Sequence, residues 1–424
     1  MINRRQAPPI QSVKTLPLHH PIQHRLDNGI TVYDVRLGQQ EVIKLELVFE
    51  AGRWYEQEHL LARASSQLLK AGTQQRTAAQ LADFFEHYGA KLDIYDGFNT
   101  VNIQLYCLTK HLPTLLPVLQ EMVTQPLYPQ HEVEQFIKRS RQNLKLQLQK
   151  NDILAYRLFT EELFGKAHPY GYNSFAEDYN RLTKEKIQAH FKRCYTAKAC
   201  TIFIAGKTSP AILELLNQYF TNLPTKPAPT TPTWVLPPEV GHKKVHQVLS
   251  KESLQASIRI GRRTFARSHA DCDRFYMMNM VLGGYFGSRL MQNLRERNGF
   301  TYGIYSSIET LRDSGYWYIH TDVNKAVTEQ ALTEIYSEIE LLQQKLISDE
   351  EMEMVRNYSL GMQLTALDGV FNVASIVKSL ATVGLTEQHF HEFVDTIKTI
   401  TPKDIQSVAQ QYLQKEHLLE VIVE

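Results

Sequence analysis

The chain has 424 residues, enough for two or three domains with a sizeable core and no need of a covalent staple. Its 46 basic residues balance 45 acidic ones, and a formal net charge of +1 leaves no field strong enough to gather nucleic acid or an anionic membrane. The four cysteines, Cys107, Cys194, Cys200 and Cys272, never fall into a C-x-x-C spacing, so they read as reduced, mostly buried thiols rather than a disulfide framework.

The first thirty residues hold no apolar run of about 7–15 residues, and no stretch of the chain approaches roughly 18 apolar residues. A soluble, unexported, cytoplasmic protein is therefore expected. LELVFEAG (45–52) and VNIQLYCL (101–108) alternate with period two and predict strands of a sheet with one covered face. Between them, LLARASSQLL (60–69) sets Leu60, Leu61, Ala64, Leu68 and Leu69 on one helical stripe. Thr77 with Gln80 predicts a capping box opening the next helix, which runs into Gly89 and a pair of strands. LTKEKIQ (182–188) opens a helix capped by Thr183, and CTIFIAG (200–206) is a terminal apolar strand.

From Asn222 to His242 the chain reads NLPTKPAPTTPTWVLPPEVGH, whose six prolines exclude a helix interior or central strand and predict a stiff, extended linker. Beyond it the pattern returns. A helix runs into Gly299 and paired strands, Ser348 with Glu351 predicts another capping box, and ITPKDIQ (400–406) precedes the strand LLEVIVE (418–424). Thr401 and Pro402 form an N-cap followed by proline at the first helical position. ITPKDIQ lies 218 residues after LTKEKIQ (182 to 400), and Gly299 lies 210 after Gly89 (89 to 299), so the chain reads as a duplication with loop insertions. The expected class is α+β, with two homologous domains (1–221 and 243–424, joined by the linker 222–242), each a mainly antiparallel sheet with helices on one face.

The segments EAGRWYEQEHLLARASSQLLKAGT (50–73), TAAQLADFFEHYGAKLDIYDGFNT (77–100) and HPYG (168–171) resemble the first half of zinc metallopeptidases of the pitrilysin, insulinase and mitochondrial-processing-peptidase family. GGYFGSRLMQNLRERNGFTYGIYSS (283–307) resembles their second half. The resemblance covers nearly the whole chain and implies the processing-peptidase-like metallohydrolase fold. Active members carry H-x-x-E-H, whose two histidines hold zinc and whose glutamate is the general base. Registered on LLKAGT, those positions here are Arg63, Ser66 and Gln67. Arginine has no lone pair for zinc, serine accepts no proton near neutral pH, and glutamine is a feeble ligand. The third ligand of the family, a glutamate, falls near Asn143 and Leu144, neither of them acidic. No metal is expected in this chain.

Two further family residues, an arginine and a tyrosine seven apart that bind the substrate carbonyl or tetrahedral oxygen, match Arg295, at a helix end, and Tyr302, on the strand after Gly299. Loss of the ligands with retention of this pair is the pattern of the inactive subunit in heterodimeric members. The resemblance thus implies a homologous, H-x-x-E-H-bearing partner that holds zinc, and a small or unfolded polypeptide substrate that adds as a strand to a sheet edge, here Lys91–Tyr95. The alternatives are a structural core-type subunit of a larger complex without a role in proteolysis, as in the respiratory cytochrome bc1 complex, and a self-sufficient peptidase with an unorthodox metal site. Other suggestive residues read as structural or solvated: His59 on a shared helix with Glu56, His168 at a turn, Glu161 with Glu162, and His389, His391 and Glu392, where i, i+2 residues of a helix diverge.

Overall fold

The computed structural model describes residue 13 and residues 15–239, 241–250 and 252–424, so the expectation for the leading residues and Val240 of the linker lie partly outside the described residues. In the first half, β1 (Ile22–Arg25), β2 (Thr31–Arg36), β3 (Val42–Phe49), β4 (Lys91–Asp96), β5 (Val101–Leu108) and β6 (Cys200–Gly206) form one sheet in the order β1-β2-β6-β3-β5-β4. In the second, β7 (Lys243–Gln247), β8 (Gln255–Thr264), β9 (Ile304–Thr310), β10 (Gly315–Asn324) and β11 (Leu419–Val423) run in the order β7-β11-β8-β10-β9. Without β1 the two orders coincide strand for strand. Even the one parallel pair recurs, β2 on β6 and β7 on β11, among otherwise antiparallel neighbours.

The helices of the first half are α1 (Leu61–Gln67), α2 (Ala78–His87), α3 (Leu112–Thr124), α4 (Gln130–Gln147), α5 (Asn151–Phe164), α6 (Ala176–Asn180), α7 (Lys184–Cys194) and α8 (Pro210–Phe220). Those of the second are α9 (Cys272–Leu282), α10 (Thr328–Gln344), α11 (Asp349–Ala366), α12 (Val370–Ala381), α13 (Glu387–Thr399) and α14 (Pro402–Tyr412). Thr77 and Gln80 cap α2 reciprocally, and Thr401 does the same with Asp404 for α14. Ser348 accepts from the Glu351 N–H, but the Glu351 carboxylate turns away to a bidentate pair with Arg289 at 2.8 Å, so only half of the expected box forms. All four cysteines are buried free thiols. No single described helix is long and apolar enough to cross a membrane.

Helices on one face of each sheet is an incomplete description, because the other face is covered by a helix lent from the opposite half. Helix α5 packs on β8 and β11, while α12 packs on β6 and β2. Phe159 and Leu163 of α5 accordingly share a core with Tyr316, Tyr318 and Val421, and Val373 and Val377 of α12 share one with Val35, Val48 and Phe203. The approach is close: a Cβ at Gly261 of β8 would stand 2.9 Å from the Phe159 ring of α5. This also explains why every residue of β3 after Val42 is buried, Lys44 and Glu46 included, although the alternation suggested a wet face. Glu46 accepts from Gln104 Nε2 at 2.7 Å and pairs with Lys44 at 3.3 Å and with Lys378 of α12.

The linker has neither helix nor strand among its described residues and runs against both halves. Trp234 Nε1 donates to the Trp54 carbonyl at 3.2 Å, and Arg263 donates to the Pro237 carbonyl at 2.8 Å. The hairpin of β1 and β2 was not anticipated, although Asn28–Gly29 signals it; Gly29 takes φ +88 in the turn.

Candidate functional site

Helix α1 starts on strained backbone. Leu60 immediately precedes it with φ 72, a left-handed conformation that is costly for a bulky residue and is held here by near-complete burial. No side chain of its own caps the helix. Instead Glu56, four residues earlier, accepts from the Ala62 N–H at 2.7 Å, which places a carboxylate at the positive helix end, and accepts from the Tyr172 hydroxyl at 2.5 Å. Glu56 and His59 thus lie before the helix rather than on it; the His59 ring stacks on Tyr172, with centroids 4.0 Å apart.

Part of Glu56 reaches the surface, but its carboxylate is enclosed, and burial pushes its pKa up to about 7 against hydrogen bonds and the Arg53 charge that pull it down. Since the folded form holds this proton more tightly than the unfolded chain, stability is greatest below the ordinary carboxylate pKa and declines as pH rises from about 4.5 to 7. We expect Glu56→Gln to remove roughly 2 kcal/mol of that decline. Thermal midpoints at pH 5 and pH 8 check it: the gap should narrow in the variant, and an unchanged gap would count against the assignment.

The zinc-motif positions follow on α1. Arg63 and Gln67 face solvent, while Ser66 is fully buried and its hydroxyl donates to the Arg63 carbonyl at 3.1 Å. Gln67 Nε2 donates to the Ile94 carbonyl and to Asp96 Oδ1, both at 3.1 Å. On α4, Asn143 is exposed, and the buried neighbour turned into the core is Leu144. An apolar side chain, a guanidinium, an enclosed hydroxyl and an amide whose nitrogen is committed to the sheet do not make a zinc site. Among the described residues no three His, Cys, Asp or Glu side chains are grouped to hold a metal ion.

Arg295 lies in the last turn of a wide, π-type helix, Met291–Arg297. Its guanidinium sits 4.7 Å from the centre of the Phe286 ring, and its Nε is 3.5 Å from Glu296. Tyr302 precedes β9 by two residues, in a turn and not on the strand itself; 96% of its surface is exposed. The turn is nevertheless fixed, because the Thr301 hydroxyl lies within 3.0 Å of the Gly303 carbonyl and 2.8 Å of the Asp322 carbonyl, and Thr321 reaches the Gly303 carbonyl at 3.0 Å. Among the described residues no hydrogen bond joins Arg295 to Tyr302: the Arg295 guanidinium lies half-buried against Phe286, while Tyr302 projects almost fully into solvent.

His168 is buried, takes the Tyr170 N–H on Nδ1 at 3.1 Å, and is held neutral by burial, which drops its pKa to about 4. It is a turn residue. Glu161 and Glu162 pair with Lys166 and Lys243, while His391 and Glu392 are exposed.

Residues 36–164 match the family model "Insulinase (Peptidase family M16)", and residues 181–359 match "Peptidase M16 inactive domain". The chain belongs to peptidase family M16. Among M16 relatives, "Uncharacterized zinc protease YmxG" of Bacillus subtilis is 20% identical over 83% of this chain and 85% of its own length. The "Non-peptidase homolog YmxG" of Helicobacter pylori is 22% identical over 86% of this chain and 84% of its own. In fold the chain is similar to the crystal structure of a peptidase M16 inactive domain from Pseudomonas fluorescens, with TM-score 0.87, 20% identity and coverage of 96% and 98% of the two chains. A protease from H. pylori matches with TM-score 0.87 at 17% identity, covering 95% of this chain and 100% of that one. Within this M16 frame, Lys70 was missed from sequence, and Glu56 was read only as sharing a helix with His59. The signal for Lys70 was its place three residues after Gln67 on the same helical row; the structure adds that its ammonium bonds the Leu92 carbonyl.

Proposed function

We propose that the chain is the non-catalytic subunit of a heterodimeric M16 zinc peptidase. A homologous partner bearing H-x-x-E-H holds the zinc and the general base; this chain closes the chamber around small or unfolded polypeptides and presents Arg295 and Tyr302 to them. It carries no cofactor of its own. The observation that supports this most is a contrast: α1 carries no His, Cys, Asp or Glu to hold a metal, whereas Tyr302, with 96% of its surface free on a pinned turn, makes no hydrogen bond among the described residues. A guanidinium and a phenol are both donors for charge developing on an oxygen. The name borne by the H. pylori relative agrees with a subunit that does not itself cleave.

The test is reconstitution. The purified chain, alone and mixed with a candidate H-x-x-E-H partner, is assayed on an unfolded peptide and analysed for metal. Cleavage is expected only in the mixture, with about one zinc per pair. Full activity of the isolated chain would contradict the reading, and an assembled but uniformly inactive pair would shift it to a structural subunit.

A further inference from the structure

Among the described residues strand β4 is the outer edge of the first sheet and pairs only with β5. In an antiparallel ladder the N–H and C=O of one residue point the same way, so alternate residues of an edge strand aim both groups outward. Here those residues are Leu92 and Ile94, whose carbonyls are turned from β5 to side chains of α1 and the turn after it. Ile94 O receives Gln67 Nε2 at 3.1 Å, and the same nitrogen is steadied by Asp96 Oδ1 at 3.1 Å. Leu92 O receives the Lys70 ammonium. A second strand laid along this edge needs those two carbonyls for its own N–H groups. Gln67 and Lys70 are both exposed side chains reaching inward to the edge, so they occupy the acceptors without being part of the core. The edge also carries charge, with Lys91 and Asp93 paired at 2.8 Å.

We propose that Gln67 and Lys70 guard the edge of β4 against strand addition, and that their removal turns it into a docking surface for extended polypeptide. The row that could have ligated a metal now closes the neighbouring edge, so polypeptide docking is left to other surfaces. This holds for the chain by itself, whether or not the heterodimer forms, and its failure is therefore separate from that of the reconstitution.

The probe is a fluorescein-labelled peptide of alternating threonine and valine with lysine ends, titrated by anisotropy against the full-length chain. Gln67→Ala with Lys70→Ala should bind it at least about tenfold more tightly than the unaltered chain, the effect of freeing two competing hydrogen bonds. The gain should vanish for a peptide N-methylated at alternate residues. Amide exchange at Leu92 and Ile94 should slow on peptide addition in the variant only. Gln67→Glu, which keeps the size but loses the donor, should show the same gain in smaller measure and covers the case in which the double variant does not fold. Equal affinity of variant and unaltered chain, or peptide protection of Leu92 and Ile94 with Gln67 and Lys70 in place, would overturn the proposal.

Discussion

Glu46→Ala should destabilise the chain by about 3–5 kcal/mol, the range expected when one member of a buried ionic cluster is removed and its partners keep their charge. Glu46 is 2% exposed and Lys44 4%. Lys44 on β3 and Lys378 on α12 both converge on this one carboxylate, and Lys44 Nζ also reaches Ser375 Oγ at 3.2 Å and lies over the Tyr106 ring. With alanine at position 46, the buried Lys44 ammonium and the partly exposed Lys378 ammonium lose their shared carboxylate and repel each other. Denaturant unfolding checks the result. A further change of Lys44 and Lys378 to methionine in the Glu46→Leu background should recover most of the loss, since a well-packed apolar set has no charge to desolvate. A Glu46→Ala cost under about 1 kcal/mol would mean that the lysines reach solvent and that the cluster does not clasp the halves together.

Arg295→Ala in the reconstituted pair should reduce kcat/KM by about 10²–10³-fold, the usual cost of deleting one donor to a developing oxyanion. Tyr302→Phe should lower it in the same direction by removing a single hydroxyl. The fall should lie mainly in kcat if the donors act on the transition state, and mainly in KM if they only grip substrate. Neither substitution should move the thermal midpoint of the isolated chain appreciably, because both side chains sit at the surface and the Tyr302 turn is held by Thr301 and Thr321. Activity unchanged by both variants would remove the assigned role while leaving the family membership intact.

The family and the fold class were legible because each rests on local pattern. The capping residues Thr77 and Thr401 name their helix starts, and fixed spacing on LLKAGT locates Arg63, Ser66 and Gln67. What escaped depends on partners distant in sequence. Lys44 and Glu46 alternate with apolar neighbours as residues of a wet face do, and only the arrival of Lys378 from the other half makes them interior. Glu56 caps a helix it does not belong to, with Tyr172 closing it off. Tyr302 falls in a turn because β9 begins only at Ile304, a boundary that periodicity places no more closely than a few residues.

The exchange of α5 and α12 has a consequence for biogenesis. While the chain emerges from the ribosome, the face of the first sheet carrying Val35, Val48, Phe203 and Ala205 lies bare until α12 has been translated. The nascent first half therefore exposes an apolar surface until the second half has been made, the situation in which a chain is prone to aggregate. A product truncated at the proline-rich segment would retain that surface permanently, and each half acts as the other's missing lid.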